Sequence, residues 1–329
     1  MYKSFYNLKR NPFEITPDPA FLFPTRRHNE ALAALYYGVR RHKGFVVLSG
    51  EVGTGKTLLV RCLLDLLSRS EVNYAYVYNT RLSSLEFLQY VAGDFRLPTA
   101  GKSKAELLLD LSSFLVKRYQ QKQTTVLVVD EAHHLTTEVL EEIRLLTNLE
   151  TSRQKLLQIL LVGQPELDEK LDSYELRQLK QRIAHRSSLG ALDEIETQGY
   201  IQRRLELSGA NGSALLLFPP STVQAVYQSS GGIPRLINTI CENALINAYA
   251  RRARSVHPEV IEEVASDLRL GINHAPQTKN NVNGMGNQDF WQAAKTLLEF
   301  QQFVQASRSK TAEPLMPVLP GPNKHEPYI

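Results

Sequence analysis

The segment GFVVLSGEVGTGKTLL, residues 44–59, constrains the fold of this chain more strongly than any other part of the sequence. Its apolar start is typical of a buried strand, and glycines at positions 50, 53 and 55 lead directly into Lys56 and Thr57. This spacing matches G-x-x-x-x-G-K-[ST]. Glycines let the backbone bend so that its N–H groups surround phosphates, and the positive end of the following helix faces them. The segment therefore predicts an α/β fold with a phosphate-binding loop.

The predicted loop assigns roles in binding ATP and Mg²⁺ to a run of consecutive residues. We expect Lys56 to reach the β and γ phosphates and the hydroxyl of Thr57 to ligate Mg²⁺. The alternative, a glycine turn that only ends a strand, does not account for the full motif. The residues expected to hold the nucleotide are Gly50, Glu51, Val52, Gly53, Thr54, Gly55, Lys56, Thr57 and Leu58.

A second apolar run, TTVLVVDEAHHL, leads into two adjacent carboxylates. Asp130 lies at the carboxyl end of a predicted strand beside the loop, where it can hold Mg²⁺ through its water shell. Glu131 follows by one residue and can polarise a water for attack on the γ-phosphate. The pair favours hydrolysis over transfer of the phosphoryl group to a small acceptor.

Two further polar residues are predicted to respond to the nucleotide. Gln164 follows the strand-like run ILLVG and can orient the attacking water, although a Gln in such a turn is often structural. In SSGGIPRLIN, Gly231 and Gly232 end one helix and Arg235 starts the next. We expect Arg235 to point across the cleft and sense a γ-phosphate, the alternative being a solvated arginine in a loop.

The segment ELRQLKQRIAHRSSL supplies Arg177, Arg182 and Arg186 close to the last predicted strand of the sheet. An arginine at this place can be presented to the γ-phosphate of a neighbouring subunit and neutralise charge as it develops. We select Arg182 for this role. The alternative is that all three are solvated side chains on a helix surface, and the sequence does not decide which arginine acts.

Hydrophobic periodicity divides the chain into a sheet unit and a helical unit. Short strands alternate with helices up to residue 191, and only helical spacing follows, so the prediction is a parallel-sheet domain with a smaller all-helical lid. The strands predicted are Gly44–Ser49, Asn73–Tyr78, Thr125–Asp130 and Leu156–Val162. The predicted units are a sheet domain at 1–191, a lid at 192–270, a linker at 271–288, an amphipathic helix at 289–306 and a Pro-rich tail at 307–329.

Composition limits the location and the chemistry. The chain is 43% apolar and 22% charged, as in soluble globular proteins, and no apolar run approaches the ~18 residues of a membrane span. The start MYKSFYNLKRNPF has no apolar core of a secretory signal, so we expect a cytoplasmic protein with reduced Cys62 and Cys241 in its core. The basic clusters RRHNEA, VRRHKG and ARRAR are either solvated helix ends or contacts to nucleic acid or anionic lipid.

Taken together and in order, these motifs resemble the AAA+ ATPases, specifically the general secretion pathway protein A family. The resemblance also rests on NPFEITPDPAFLFPTRRHNEALAAL, LRQLKQRI and GGIPRLIN, and it extends from residue 1 to about residue 270. It implies Gln164 as a first sensor, Arg235 as a second sensor, and homo-oligomers in which an arginine of LRQLKQRI serves the neighbour. It also implies that nucleotide turnover drives assembly of a secretion, pilus or exopolysaccharide export system.

The sequence departs from this family at two points and leaves other functions open. His134 stands where Asn or Gln is expected, and the membrane span that often follows in the secretion type has no counterpart in the printed sequence. A helicase of the DEAH type needs a second sheet domain, which the helical unit cannot supply. An ATPase regulator of transposition or recombination on DNA is the alternative function. In a further one, the 289–306 helix docks a membrane complex. The apolar stripe of this helix either packs on its own domain, as such stripes more often do, or lies on a membrane surface through Phe290, Trp291, Leu297, Leu298 and Phe303.

Overall fold

The structure of the protein, a computed structural model, describes residues 2–68, 72–78, 81–210 and 214–270. The predicted linker at 271–288, the amphipathic helix at 289–306 and the tail at 307–329 lie outside the described residues. Among the described helices, none has both the length and the apolar character needed to cross a membrane.

A sheet of parallel strands forms the centre of the first unit. Its strands are β1 (Phe45–Gly50), β2 (Val72–Val77), β3 (Thr124–Val129), β4 (Leu157–Gly163) and β5 (His185–Leu189), in the spatial order β2-β3-β4-β1-β5. Every pairing is parallel, so all carboxyl ends lie at one edge of the sheet. The predicted α/β fold class is therefore confirmed.

Strand β5 was not among the four predicted strands. It pairs with β1, in a register that sets Gly50 beside Leu189. Its sequence HRSSL has one apolar residue, and its side chains alternate between partly buried and exposed. An edge strand of this kind has no apolar run, because one side of it faces solvent rather than another strand.

Helices cover both faces of the sheet and then form the second unit. The helices are α1 (Tyr2–Phe5), α2 (Arg26–Arg40), α3 (Lys56–Ser68), α4 (Ser84–Asp94), α5 (Lys104–Gln120), α6 (Thr137–Leu146), α7 (Pro165–Leu171), α8 (Arg177–Lys180), α9 (Glu194–Leu207), α10 (Ala214–Leu217), α11 (Pro220–Ser230), α12 (Pro234–Ala250) and α13 (Pro258–Asp267). The bounds predicted for α3 hold, and Ser103 and Glu106 form the expected capping box before α5.

Side chains of the sheet alternate between two apolar cores. Phe45 and Val47 of β1 face the core shared with α4, α5 and α6, whereas Val46 and Leu48 face the core shared with α2 and α3. Burial on both faces explains why the central strands are apolar throughout. It also fixes the carboxyl edge, where the polar residues that follow the strands converge.

The N-terminal segment packs in the helical unit rather than against the sheet. Tyr2, Tyr6, Leu8 and Phe13 are buried in the same core as α9, α11, α12 and α13. Phe13 meets Phe218 edge-on, with ring centroids 5.7 Å apart. The predicted domain of residues 1–191 included this segment, whereas its aromatic side chains are buried together with the lid helices.

Candidate functional site

The phosphate-binding loop connects β1 to α3 at the carboxyl edge of the sheet. Strand β1 is buried along its length, and α3 begins at Lys56. Gly53 and Gly55 have φ angles of 83° and 98°, in the left-handed region that favours glycine. A Cβ on Gly53 would lie 2.6 Å from the Cβ of Arg235, so only glycine permits the lid to approach this closely. The loop thus has the open backbone that phosphate groups require.

Lys56 folds back over the loop that it terminates. Its Nζ donates to the carbonyl oxygens of Gly50 at 2.7 Å and Glu51 at 2.9 Å. Burial lowers the pKa of Lys56, and the nearby carboxylates of Glu131 and Asp130 oppose that shift. The ammonium group therefore lies within the loop, close to where the β and γ phosphates are predicted to bind.

Asp130 is buried and joins three elements of the site. Its Oδ2 accepts from the Thr57 hydroxyl at 3.1 Å and from the Tyr76 hydroxyl at 2.7 Å. Its Oδ1 accepts from the backbone N–H of Glu131 at 2.9 Å. The Thr57 hydroxyl and a carboxylate form the oxygen donor set that Mg²⁺ prefers, so these residues fit the predicted ion.

Tyr76 is a site residue that the sequence motifs do not indicate. It lies on β2, next to β3, and parallel pairing brings its hydroxyl to Asp130. Burial, together with the charge of Asp130, raises the pKa of Tyr76, so its hydroxyl stays protonated and donates to the carboxylate. The only sequence signal of this tyrosine is its place in a strand beside the one that precedes the acidic pair.

Glu131 follows β3 in a backbone conformation unusual for glutamate. Its φ is 54° and its ψ is 33°, which turns the chain into a short 3-10 helix, Ala132–His134. Such strain is found most often at functional positions. The Glu131 side chain is 47% exposed, and its Oε2 lies 3.5 Å from Nδ1 of His133. The carboxylate is thus open to solvent on the side of the phosphate loop.

Gln164 contacts the same short helix. It follows β4 at the carboxyl edge, as predicted, and its Nε2 lies 3.0 Å from Nε2 of His133. Burial, and then the neighbouring His134, lowers the pKa of His133. The nitrogen and oxygen atoms of Glu131, His133 and His134 that could bind an ion lie within 4.8 Å of one another, so both histidines lie beside the Glu131 carboxylate.

The lid bonds directly to the phosphate loop at the start of α12. The backbone N–H of Arg235 donates to the Gly53 carbonyl at 3.1 Å, and the side chain of Arg235 is exposed. The N–H of Leu192 donates to the Gly232 carbonyl at 2.8 Å, joining the start of the lid to the turn before α12. Arg235 thus lies at the loop, on the side where a sensor is predicted.

The three candidate arginines contact residues outside the phosphate loop of their own chain. Arg182 precedes β5, at the amino edge of the sheet, and its Nη1 donates to the Thr147 hydroxyl at 2.8 Å. Arg186 lies 3.4 Å from Asp168 and 3.1 Å from Asp172. The Arg177 guanidinium lies 4.2 Å from the ring centroid of Tyr174.

A small cavity lies between the N-terminal segment, the loop and the lid. It is lined by Phe21, Leu22, Phe23, His28, Thr54, Gly55, Leu58, Leu192, Tyr200 and Pro234. Aromatic and apolar walls next to a phosphate loop suit a flat nucleobase. Only the loop residues among them were predicted, because the others come from three distant parts of the sequence and share no motif.

Arg204 connects the aromatic wall of this cavity to the N-terminal segment through hydrogen bonds and a contact with an aromatic ring. It is buried, donates to the carbonyls of Pro12 at 2.6 Å and Glu14 at 3.0 Å, and donates to the Tyr200 hydroxyl at 2.8 Å. Its guanidinium carbon lies 4.5 Å from the ring centroid of Phe21. The N-terminal segment is therefore held in place as part of the cavity wall.

His28 attaches α2 to the phosphate loop. Its Nε2 lies 3.2 Å from the Thr54 carbonyl, and its Nδ1 lies 2.7 Å from the Thr25 hydroxyl. A neutral ring that donates from Nε2 and accepts at Nδ1 satisfies both contacts. Burial lowers the pKa of His28 below its usual 6.5.

We predict that the neutral His28 ring makes the protein less stable at acidic pH. As the pH falls below about 6.5, the unfolded chain takes up a proton that the buried ring resists, so the free energy of unfolding falls. The fall ends below the lowered pKa of the folded state. Thermal unfolding between about pH 7.5 and about pH 5.5 should show a smaller decrease for His28→Gln than for the wild type.

The control for this prediction is His257→Gln, because the ring of His257 is exposed. That variant should keep the wild-type decrease in melting temperature. An equal decrease in the wild type and in His28→Gln would contradict the prediction.

Comparisons with known proteins show the family to which this chain belongs. The family described as an AAA domain matches residues 39–171. General secretion pathway protein A of Aeromonas hydrophila is 41% identical over 294 residues, which are 89% of this chain and 50% of that protein. The chain thus spans half the length of this relative.

Solved structures are similar in fold at low sequence identity. The ORC2 protein of Aeropyrum pernix, in ADPNP–ADP complexes, gives a TM-score of 0.59 at 18% identity, covering 79% of this chain and 72% of that chain. Drosophila ORC bound to DNA gives a TM-score of 0.60 at 18% identity, covering 93% of this chain and 82% of that chain. These likenesses support the AAA+ type of sheet and helical lid.

Proposed function

Since this chain belongs to the AAA+ proteins and is similar to general secretion pathway protein A, we propose that it is a Mg²⁺-dependent ATPase. Nucleotide binding follows from the AAA domain. Beyond binding, the proposal is that the chain hydrolyses ATP and uses this turnover to drive assembly. The single observation that carries it is the contact of the Thr57 hydroxyl with buried Asp130, next to the half-exposed carboxylate of Glu131. A binding module alone has no use for that second carboxylate.

The residues divide the work of hydrolysis between binding and activation of water. Lys56 and the loop N–H groups hold the phosphates, and the cavity between Phe21 and Tyr200 holds the base. Thr57 and Asp130 would hold Mg²⁺, which would neutralise charge on the phosphate oxygens. Glu131 accepts the proton of the attacking water, while Gln164 orients that water.

Lid movement is the proposed output of turnover. Arg235 contributes both a backbone bond to Gly53 and an exposed guanidinium at the start of α12. A bound γ-phosphate attracts that guanidinium. Loss of the γ-phosphate weakens the attraction, so the lid and the neighbouring subunit shift between states.

The name of the relative supports a client in a secretion pathway, with pilus or exopolysaccharide export systems as related clients. We place the chain in the cytoplasm, with contact to the inner membrane through its partners.

Binding to DNA is the alternative, and several basic side chains argue against it. Arg26 pairs with Glu30 at 2.8 Å, Arg251 pairs with Glu263, and the Arg254 guanidinium lies 4.2 Å from the centroid of Phe5. Side chains already paired within the chain release fewer counterions on contact with phosphates. Assembly of a protein machine is therefore the favoured function.

A mixing experiment tests the proposed oligomeric ATPase. We predict that Arg182→Ala and Glu131→Gln each lower ATP turnover by about tenfold or more, because each removes one part of a shared site. Mixing the two should restore activity, since about a quarter of the interfaces in a random ring combine an intact glutamate with an intact arginine. Phosphate release at a fixed total protein concentration measures the recovery.

Arg177→Ala and Arg186→Ala are matched controls from the same segment, and they should keep wild-type turnover. Activity that stays lost on mixing, or that falls equally in all three arginine variants, would contradict a role for Arg182 in trans. Stimulation of turnover by duplex DNA at low salt, lost as salt is added, would favour the DNA-associated alternative instead.

A further inference from the structure

We propose that His133 is a positioning residue that joins Gln164 to Glu131, so that the two groups acting on the attacking water move as one unit. The inference deepens the proposed hydrolysis and rests on it. The sequence motifs give roles to the acidic pair and mark His134 as a departure, but they assign none to His133. Its two ring nitrogens face the two predicted catalytic side chains.

The contacts of His133 form a chain from one side of the site to the other. Nε2 of the ring lies 3.0 Å from Nε2 of Gln164, and Nδ1 lies 3.5 Å from Oε2 of Glu131. The His133 side chain is only 8% exposed, although the Glu131 side chain is 47% exposed. A buried ring therefore lies against a partly exposed carboxylate.

One protonation state of the ring serves both contacts. When the Gln164 amide donates to Nε2, the ring proton resides on Nδ1 and points toward the Glu131 carboxylate. If the Gln164 amide were flipped, its oxygen would require a proton on Nε2 of His133. The lone pair of Nδ1 would then face the negative charge of the Glu131 carboxylate. The backbone N–H of Gln164 donates to Nδ1 at 3.4 Å, and a proton on Nδ1 replaces this long bond with a charge-assisted contact to the Glu131 carboxylate.

Helix α7 contacts both Gln164 and the backbone of His133 and so holds them in one arrangement. It begins directly after Gln164, and Nζ of its Lys170 donates to the carbonyls of His133 and Leu135, each at 2.7 Å. A Cβ on Gly163 would lie 3.2 Å from the backbone nitrogen of His133, so the turn lies tightly against the end of β4. A shift of Gln164 toward a γ-phosphate is therefore transmitted to the turn that carries Glu131.

The experiment is a double-mutant cycle on His133 and Gln164, with kcat, KM and ATP affinity measured for each protein. His133→Ala and Gln164→Ala should each lower kcat by about tenfold, because the water and carboxylate lose alignment. ATP affinity should stay within about twofold. The kcat of the double variant should lie within about twofold of the kcat of the slower single variant, because both substitutions break the same link.

His134→Ala is the matched control, because its ring is exposed and packs against His133 at a centroid distance of 3.9 Å. The kcat of His134→Ala should stay within about twofold of the wild-type value when Mg²⁺ is the only divalent metal in the assay. Effects of His133→Ala and Gln164→Ala that multiply in the double variant would overturn the proposal. A change confined to melting temperature or ATP affinity would overturn it as well, by assigning His133 a purely structural role.

A second readout does not depend on turnover and so separates this inference from the proposed function. The ¹⁵N imidazole spectrum of the full chain, assigned by loss of one signal in His133→Ala, reports which ring nitrogen carries the proton. We expect a neutral ring with its proton on Nδ1 and a changed signal in both Gln164→Ala and Glu131→Gln. A His133 signal unaffected by both substitutions would refute the link, whether or not the protein hydrolyses ATP.

Discussion

Replacing Glu131 with Gln is expected to lower the rate of ATP hydrolysis by about 100-fold to 10,000-fold while ATP still binds. The amide has the shape of the carboxylate but cannot accept a proton from the attacking water. Thr57 keeps its hydrogen bond to Asp130, and Lys56 keeps its hydrogen bond to the Gly50 carbonyl, because neither bond uses the side chain of Glu131. Turnover and equilibrium ATP affinity should therefore separate in this variant, with affinity within about threefold of the wild type.

The measurement is phosphate release at saturating ATP, combined with titration of a fluorescent ATP analogue. Glu169→Gln is the matched control, because it places the same change on an exposed position of α7. It should hydrolyse ATP at the wild-type rate. A Glu131→Gln variant that keeps more than about a tenth of the wild-type rate would contradict the assigned role of the carboxylate.

Replacing Lys56 with Ala is expected to weaken ATP binding by about 100-fold and to abolish turnover at ordinary ATP concentrations. Loss of a buried, charged donor costs about 2–5 kcal/mol, and about 2.8 kcal/mol corresponds to 100-fold in affinity. Two loop carbonyls also lose their donor, since Nζ lies 2.7 Å from the Gly50 oxygen and 2.9 Å from the Glu51 oxygen. The loop then lacks both its internal bond and its charge for the phosphates.

Lys155→Ala is the control for this variant. Its ammonium also donates to a backbone carbonyl, that of Thr147, but at the amino edge of the sheet and away from the loop. ATP affinity, measured by calorimetry, should be unchanged in Lys155→Ala. Wild-type affinity in Lys56→Ala would mean that nucleotide does not bind at this loop.

The elements that could be predicted from the sequence combine a continuous apolar strand with a dense motif. Strands β1 and β3 are buried on both faces, so their apolar runs are unbroken, and the loop and the acidic pair follow them directly. Because parallel strands share one carboxyl edge, the motifs alone indicate that Thr57 and Asp130 lie near each other. Gln164 is expected at the same edge for the same reason.

Other parts of the site depend on contacts between distant segments and have no local pattern. Strand β5 is an exposed edge strand, so its polar sequence does not read as a strand. Tyr76 acts through its register with β3, and His28 acts through the packing of α2 on the loop. The cavity proposed for the base requires the N-terminal segment to pack with the lid, an arrangement supported by the burial of Phe13 and by the hydrogen bonds of Arg204.

The most direct test of the account is phosphate release by the purified full chain at saturating ATP, with Mg²⁺ and then with Mg²⁺ removed by a chelator. We predict turnover that requires Mg²⁺, that rises per subunit as protein concentration increases, and that exceeds the Lys56→Ala background at every concentration. Release no greater than that background, or release unaffected by the chelator, would contradict the proposal that this chain is a Mg²⁺-dependent ATPase.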